Sequence, residues 1–356
     1  MKRRLLHLLN YKPLGTRAID HFVLEYVKQS VARDCDVTIG FTAAAPDDYA
    51  KLLGDAGAKL IQFRTPFTWE AAREVRRAMP GGVDVLQTSF LSAFEKPLLG
   101  LKLRGFTKRL VVIDHSSGVG PSPDSPLAML RKLRGRIVGR IVDGVACVSE
   151  FNAKRDIERV FLPASKVTVV HNGIDLSRFP FVGDRSNDPP KVVFVGQLIE
   201  AKGFRTVIQT INLLHAVAFE MLVAGEGPLR AELDSQTPLR VNFLGHVTNI
   251  PGLFGEADVA VVPSEWAEAF GLVAIEAMAC GAVVLASDAG ALPEVVGDAG
   301  VIFKAGDAAD LAIKLEALLV NATQREQLQS AGRLRVERQY QLHDCVRKHL
   351  DFALPR

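Results

Sequence analysis

Cysteine is scarce in this chain of 356 residues, with four, at positions 35, 147, 280 and 345. They lie far apart, and Cys35, Cys147 and Cys280 fall within or beside apolar segments. Neither a zinc site nor a disulfide framework follows, and Cys147 and Cys280 read as small buried hydrophobes. Long apolar runs are absent too. No stretch approaches the length of a membrane span, and the basic start Lys2-Arg3-Arg4 is broken by His7, Asn10 and Lys12 before a signal-peptide core develops. A cytoplasmic location is therefore expected. Aromatic residues make up 7% of the chain and thin out where positive charge gathers; with no nucleic-acid module beside that charge, nucleic acid is not an expected partner. A complete dinucleotide fingerprint is also missing. Ala224-Gly225-Glu226-Gly227-Pro228 follows a strand-like run and opens a helix, but Arg230 stands where the third glycine belongs, which argues against a nicotinamide enzyme.

What the chain does contain is alternation. Apolar runs at Leu5 to Leu9, Val37 to Phe41, Leu60 to Phe63, Val83 to Leu86, Leu110 to Ile113, Val145 to Val148 and Val167 to Val170 are separated by amphipathic stretches. That is the pattern of parallel sheets covered on both faces by helices. The segment Phe179 to Lys191, with Pro180, Gly183, Asp184, Asn187, Asp188, Pro189 and Pro190, interrupts the rhythm with turn formers and is read as a linker. Alternation then restarts with Val192 to Val195, Ala218 to Ala224, Val241 to Leu244, Val259 to Val262 and Val283 to Ala286, and the chain closes in helical stretches after Asp307. The length favours two cores. The expected architecture is two Rossmann-like, doubly wound α/β domains facing across a cleft, at residues 1–183 and 184–335, with a terminal helix at 336–356 packing back on the first.

The net charge of +3 hides an asymmetry: residues 1 to 185 carry 29 Lys/Arg against 19 Asp/Glu, or +10, and the remainder 14 against 21, or −7. Much of the excess lies between Lys96 and Arg140, where ten basic residues face only Asp114 and Asp124. Two readings stand side by side, a solvated helical surface and a face that attracts an anionic membrane or a phosphorylated acceptor. Leu98, Leu99, Leu101, Leu103 and Phe106 interleave with the first basic residues, as shallow contact with lipid head groups would require.

The most informative stretch is Glu268-Ala269-Phe270-Gly271-Leu272-Val273-Ala274-Ile275-Glu276. An ionised carboxylate among apolar residues is costly, so Glu276 needs a polar partner or a ligand. If a helix starts near Phe270, the free amides of Gly271 and Leu272 point toward the region of Glu268, with Glu276 less than two turns on. Amides that seek anions beside carboxylates that seek hydroxyls suit a ligand with phosphate and sugar; ordinary surface glutamates are the alternative for the pair alone. In Gly196-Gln197-Leu198-Ile199-Glu200-Ala201-Lys202-Gly203, after a strand-like run, Gly196 permits close approach of a ligand and Lys202 can neutralise phosphate.

Taken in order, these pieces resemble the glycosyltransferases of family 4, retaining enzymes of the GT-B architecture. The resemblance covers the second half through Gly196 to Gly203, Ala224 to Pro228, Phe243-Leu244-Gly245, Ala257-Asp258-Val259 leading to Pro263-Ser264, the Glu-x7-Glu element, and Gly281 through Gly290, Pro293-Glu294 and Gly300; in the first half it includes Val148-Ser149-Glu150 and Val170 to Asp175. It implies transfer of a sugar from a nucleotide diphosphate donor, held mainly by the second domain, to a saccharide or lipid-linked acceptor held by the first. On the matching positions Glu276 would bond the ribose, Glu268 the hydroxyls of the donor sugar, and the amides at Phe270, Gly271 and Leu272 the sugar or phosphate oxygens. Lys202 would balance charge on the departing diphosphate, and no metal or other cofactor is expected. His115, in Ile113-Asp114-His115-Ser116-Ser117-Gly118, matches a histidine facing the transferred sugar. Asp34-Cys35-Asp36 resembles the acidic pair that holds a metal in some sugar-nucleotide enzymes, but it precedes a strand in the other half and is rejected as a metal site.

Three departures bear on activity. Gln197 stands where the family usually has an arginine that holds the diphosphate with the lysine, a loss of about 1.5 to 3 kcal/mol if one charge-assisted contact goes unreplaced. Leu14-Gly15-Thr16 replaces a glycine pair, leaving Gly15 for close approach to phosphate, and Leu86 to Phe90 lacks a customary histidine. The expected role is extension of a cell-envelope polysaccharide or lipopolysaccharide at the inner membrane face. A sugar-nucleotide epimerase of the same architecture and an impaired nucleotide-sugar binding protein are the alternatives.

Overall fold

The computed structural model describes residues 2–122, 126–183, 187–214, 217–232 and 240–355; Asp124 and the turn-former Asp184 lie outside them. The chain divides into two compact units, 1–173 with 342–356, and 174–341. The division therefore falls ahead of the turn-rich segment at 179–191, and the returning piece begins at Leu342 rather than at 336.

Unit 1 runs β1 (Arg3–Leu9), α1 (Ala18–Ala32), β2 (Cys35–Phe41), α2 (Asp47–Asp55), β3 (Ala58–Gln62), α3 (Trp69–Ala78), β4 (Val83–Ser89), α4 (Lys96–Leu103), β5 (Thr107–Asp114), α5 (Ala128–Ile141), β6 (Gly144–Cys147), α6 (Glu150–Glu158) and β7 (Val167–Val169). All pairings are parallel, in the order β3-β2-β1-β4-β5-β6-β7, with Leu5 opposite both Val37 and Val85. Unit 2 runs β8 (Lys191–Val195), α7 (Phe204–Leu213), β9 (Glu220–Ala224), β10 (Val241–Gly245), α8 (Ile250–Glu256), β11 (Val259–Val262), α9 (Leu272–Cys280), β12 (Val283–Ser287), α10 (Leu292–Val296), β13 (Val301–Phe303), α11 (Ala308–Val320) and α12 (Ala322–Gln339). Its parallel sheet has the order β10-β9-β8-β11-β12-β13. The last helix, α13 (Leu342–Ala353), returns to unit 1, where His343 meets Glu25 of α1 at 2.9 Å and Asp351 meets Arg33 at 2.9 Å.

The strands read as continuous apolar runs because both faces are covered. Leu6, Leu8, Leu86, Leu110 and Val145 are buried together under α3 to α5, and Val192, Phe194, Val223, Val261 and Leu285 under α7 and α11. One expectation is corrected here: Leu98, Leu101 and Phe106 belong to the unit 1 core at 4% exposure or less, so of the interleaved apolar residues only Leu103 is markedly exposed. The helix α4 turns those leucines inward, and they do not face lipid.

Each sheet has one place where chain order reverses, between β1 and β4 in unit 1 and between β8 and β11 in unit 2. At such a point the loops leaving neighbouring strands diverge to opposite faces, which opens a crevice beyond the carboxyl ends of the strands. Both crevices are located by strand order alone.

Candidate functional site

In unit 2 the loops leaving β8 and β11 meet at this crevice. Gly196 and Gln197 follow β8, and the chain then makes a single turn at Glu200–Lys202 that Gly203 ends at φ +68°. A Cβ on Gly203 would collide with the Pro263 carbonyl, so glycine permits the close approach of the two loops. The Glu265 and Trp266 amides donate to the Ala201 carbonyl at 3.1 and 3.2 Å. The result of this stitching is that Lys202 Nζ bonds Glu268 Oε1, which also accepts the Ser264 hydroxyl at 2.7 Å. Ser264 is itself placed by Ser287, whose hydroxyl donates to its carbonyl at 2.6 Å. Glu268 pairs with Gly290 as an isolated parallel bridge, and its carbonyl accepts the Ala291 amide at 3.0 Å. Both side-chain bonds use one carboxylate oxygen, leaving Oε2 for a hydroxyl donor.

Phe270 is buried, its ring edge-on to Tyr340 at 5.5 Å, and Gly271 takes φ +98°, which excludes it from a right-handed helix. The helix α9 therefore begins at Leu272 rather than near Phe270. Its leading amides are those of Leu272 and Val273, since Ala274 already donates to the Gly271 carbonyl at 3.0 Å.

Glu276 lies on α9 in the second turn, half-buried, between buried Ile275 and Ala277. Among the described residues its carboxylate makes no hydrogen bond. Burial pushes its pKa up to about 7, while the charge of Arg178 pulls the other way. A group in that condition is unsatisfied by the fold alone, as an apolar helix carrying one glutamate implies. Gln197 is exposed at the end of β8, and its side chain makes no hydrogen bond among the described residues.

In unit 1 the reversal of strand order places Asn10 and Tyr11, after β1, beside Phe90, after β4. Phe90 adopts φ +60°, a left-handed conformation that a phenylalanine takes only when its surroundings enforce it. The Asn10 side-chain amide holds its carbonyl at 3.1 Å, and its ring, 40% exposed, stacks on His115 with centroids 4.4 Å apart and planes at 21°. Among the described residues Nε2 of His115 has no hydrogen-bond partner, and burial brings its pKa down to about 4 against the opposing charge of Asp114, so the ring is neutral at pH 7. Gly15 takes φ +80°, with Tyr49 close enough that a Cβ there would be crowded at 3.1 Å. The nearby start of α1 is already served by Asp20, which accepts from the Arg17 amide at 3.0 Å and the Tyr11 hydroxyl at 2.6 Å.

The loop that carries His115 is fixed by a buried ion network that no sequence spacing announced. Arg155 of α6 bonds Asp114, meets Asp156 at 3.0 Å and donates to the Ser116 carbonyl at 2.5 Å. Burial and the Asp114 charge push Asp156 up in pKa against Arg155. Asp114, Cys147 and Asp156 form a group of ligand-type atoms, but the guanidinium is already bonded to both carboxylates. Besides Arg155, sequence reasoning missed Ser264 as the second support of Glu268.

Two parallel doubly wound sheets, each with a crevice at its reversal of strand order, are the GT-B fold. The family described as Glycosyltransferase Family 4 matches residues 19–178, and that described as Glycosyl transferases group 1 matches residues 189–321. The chain is 33% identical to glycogen synthase of Mycobacterium tuberculosis over 205 residues, 54% of this chain and 49% of that protein. It is also 33% identical to the GDP-mannose-dependent alpha-(1-6)-phosphatidylinositol dimannoside mannosyltransferase of the same organism over 168 residues, 43% of each chain. Anabaena HepE, solved in complex with UDP, superposes with a TM-score of 0.77 at 18% identity, covering 99% of both chains. The chain belongs to the family 4 glycosyltransferases. It spans about half the length of the curated relatives it matches.

Proposed function

We propose that this protein transfers a sugar from a nucleoside diphosphate sugar to a saccharide or lipid-linked acceptor, with retention of configuration and without a metal, in the building of a cell-envelope polysaccharide or lipopolysaccharide. The observation that carries the reading is Glu276, a half-buried carboxylate without a hydrogen-bond partner among the described residues, on the helix that leads from the Lys202–Glu268 pair. A ribose supplies the hydroxyl donors Glu276 lacks. The diphosphate finds positive charge in Lys202 and in the Leu272 and Val273 amides at the start of α9, and those groups gain most as charge develops on the leaving group. This source of charge supports the metal-independent reading. Glu268, held through one oxygen, turns the other to the donor sugar.

Nucleotide diphosphates fit the names of the relatives: HepE was solved with UDP, and the mannosyltransferase is GDP-mannose-dependent. The crevice of unit 1, with Phe90 and neutral His115, is assigned to the acceptor. The phosphatidylinositol dimannoside in the second relative's name supports a lipid-linked acceptor reached from the cytoplasmic membrane face, with the basic segment Lys96 to Arg140 attracting anionic lipid. No described helix is long and apolar enough to cross a membrane.

The test is product formation from a panel of sugar nucleotides with saccharide and lipid-linked acceptors. Product that retains the donor's anomeric configuration in the presence of EDTA supports the assignment; conversion of the sugar nucleotide with no acceptor present would mark an epimerase instead.

Donor binding should depend on pH with a defined sign. The unbound carboxylate of Glu276 is protonated below about pH 7 and charged above it, and ribose hydroxyls bond best to the charged form. Nucleotide affinity is therefore expected to fall by roughly fivefold to tenfold from pH 8 to pH 6 in the wild type. In Glu276→Gln that dependence should vanish, as calorimetry at the two pH values would show.

Gln197 supports a second reading, an impaired transferase that binds nucleotide sugar and turns it over slowly, because its exposed neutral side chain replaces a customary cation. Gln197→Arg is expected to tighten diphosphate binding by roughly tenfold, the size of one charge-assisted contact. A comparable gain in kcat would favour the impaired reading, and an unchanged kcat would show that the native site is complete.

A further inference from the structure

The helix α5, Ala128–Ile141, contains Arg131, Lys132, Arg134, Arg136 and Arg140 and no acidic residue. Its inward face is fixed by Gly135, Val138 and Gly139, all buried. A Cβ on Gly135 would collide with the Phe161 carbonyl, and one on Gly139 with the ring of Pro163, so the helix backbone rests directly on the segment after α6. That seating decides what points away from the protein. At 100° per residue the opposite side carries Met129, Leu130, Leu133 and Ile137, and these are 84%, 64%, 57% and 47% exposed. Leu127, just before the helix, is 57% exposed. A globular helix ordinarily buries one apolar stripe; this one buries a narrow glycine-valine stripe and leaves a wider, bulkier one uncovered.

Basic residues border the uncovered stripe on both sides. Lys132, Arg136 and Arg140 recur every fourth residue along one border, and Arg134 stands on the other, its guanidinium 4.4 Å from the Phe94 ring. Beyond the first border lies a cleft of about 550 Å³ lined by Arg136, Gly139, Arg140, Pro163, Ser165 and Lys166. Among the described residues no carboxylate pairs with Arg136, Arg140 or Lys166. A bulky apolar stripe between cationic rows, with a three-cation cleft beside it, has the order of chemistry met on descending into an anionic bilayer: phosphate at the level of the cations, acyl chains at the level of the leucines. Self-association through this face is disfavoured by charge, since a two-fold contact would set each basic helix against its own copy. A nucleic-acid backbone matches the cations but not the apolar stripe between them.

We infer that the outer face of α5 and the adjoining Arg136–Arg140–Lys166 cleft form a membrane-docking surface for anionic phospholipid, with a head-group phosphate in the cleft and Met129, Leu130, Leu133 and Ile137 in the interface. The inference deepens the lipid-linked acceptor reading and rests on it for the membrane concerned. It moves the lipid contact from α4, where Leu98 and Leu101 are core and only Leu103 is markedly exposed, to a helix with a continuous exposed apolar stripe. Because α5 leads into β6 and stands with its amino end near the loop after β5, docking would bring the acceptor crevice of unit 1 close to the bilayer surface.

The test is vesicle co-sedimentation of the full chain, without donor or acceptor, using phosphatidylcholine alone and phosphatidylcholine with 30% phosphatidylglycerol, an amount on the order of a strongly anionic leaflet. Expected is binding to the anionic vesicles that exceeds binding to the neutral ones by at least about tenfold and weakens steeply with salt. Leu130→Glu with Leu133→Glu, and separately Arg136→Gln with Arg140→Gln, should each reduce that binding, the second pair by roughly fivefold per cation removed. All four positions are exposed, and an unchanged melting temperature would confirm that each variant folds. Equal binding to both vesicle types, or undiminished binding by both variants, overturns the inference; so does a dimer in the wild type that the leucine variant dissociates without any vesicle binding. Vesicle binding is read without turnover, so its failure in a protein that still glycosylates a water-soluble acceptor removes the docking surface and leaves the transferase reading standing. Loss of transfer in a protein that still binds vesicles does the reverse.

Discussion

Glu276→Ala is expected to lower kcat/KM for sugar transfer by about a hundredfold or more, because two charge-assisted bonds to a ribose are worth roughly 1.5 to 3 kcal/mol each. The same variant should be no less stable than the wild type. Glu276 has no hydrogen-bond partner among the described residues, and burial holds its pKa near 7, above the 4.5 of an unfolded glutamate. A carboxyl group whose pKa is raised in the folded state opposes folding as it ionises. That cost is absent below about pH 4.5 and grows until the group is charged in both states above about pH 7. Glu276→Gln should therefore melt higher than the wild type at pH 8, by an amount corresponding to roughly 1 to 3 kcal/mol, and at the same temperature near pH 4.5. A residue retained at a cost to stability and lost at a cost to activity marks a site, not a scaffold. Steady-state kinetics and thermal melts on one pair of proteins decide the matter, and a destabilised, fully active Glu276→Ala would contradict both halves.

The second large effect is on stability and lies in unit 1. Arg155→Met removes the cation that bonds Asp114 and Asp156, with the Arg155 and Asp156 side chains each 7% exposed. The buried Asp156 and the partly buried Asp114 then face each other without compensation, and breaking one side of such a network costs about 3 to 5 kcal/mol. Without the guanidinium the pKa of Asp156, already raised by burial and the Asp114 charge, rises further above that of the unfolded chain. The loss should thus be greatest above pH 7 and shrink toward pH 5 as Asp156 protonates. Chemical denaturation at the two pH values measures this directly. Because Arg155 also holds the Ser116 carbonyl, the variant is expected to loosen the His115 loop and raise the acceptor KM more than the donor KM.

Much of the fold was legible because a parallel sheet buried on both faces writes its strands as apolar runs. Leu5 to Leu9, Val37 to Phe41 and Val259 to Val262 fall within strands of the sheets. The short strand β13, only Val301–Phe303, is too brief to stand out, and the start of α9 was placed early because Gly271 looks like a helix residue until its φ of +98° is known. That Lys202 and Glu268 belong to one site was legible from residue types in recognisable loops; that Lys202 bonds Glu268 itself comes from the stitching of the two loops, which sequence does not record. The Asp114–Arg155 bond, spanning 41 residues, depends on where α6 packs, which no local pattern records. The leucines of α4 misled for a related reason: apolar residues among lysines fit a lipid face and a core face equally well, and only packing decides. Strand order, which places Phe90 beside Asn10 and Gly196 above the crevice of unit 2, is likewise a property of the assembled sheet.

Lys202, the start of α9 and Glu276 are together assigned to a nucleoside diphosphate. A thermal-shift screen over nucleoside diphosphates and their sugar conjugates tests that assignment most directly, since a ligand that binds only the folded state raises the melting temperature by mass action. At a ligand concentration a hundred times its Kd, about 2.7 kcal/mol of stabilisation is expected for one base in the wild type. The shift should be lost in both Lys202→Ala and Glu276→Ala. A full shift retained by both variants, or none with any nucleotide in the wild type, would contradict the account.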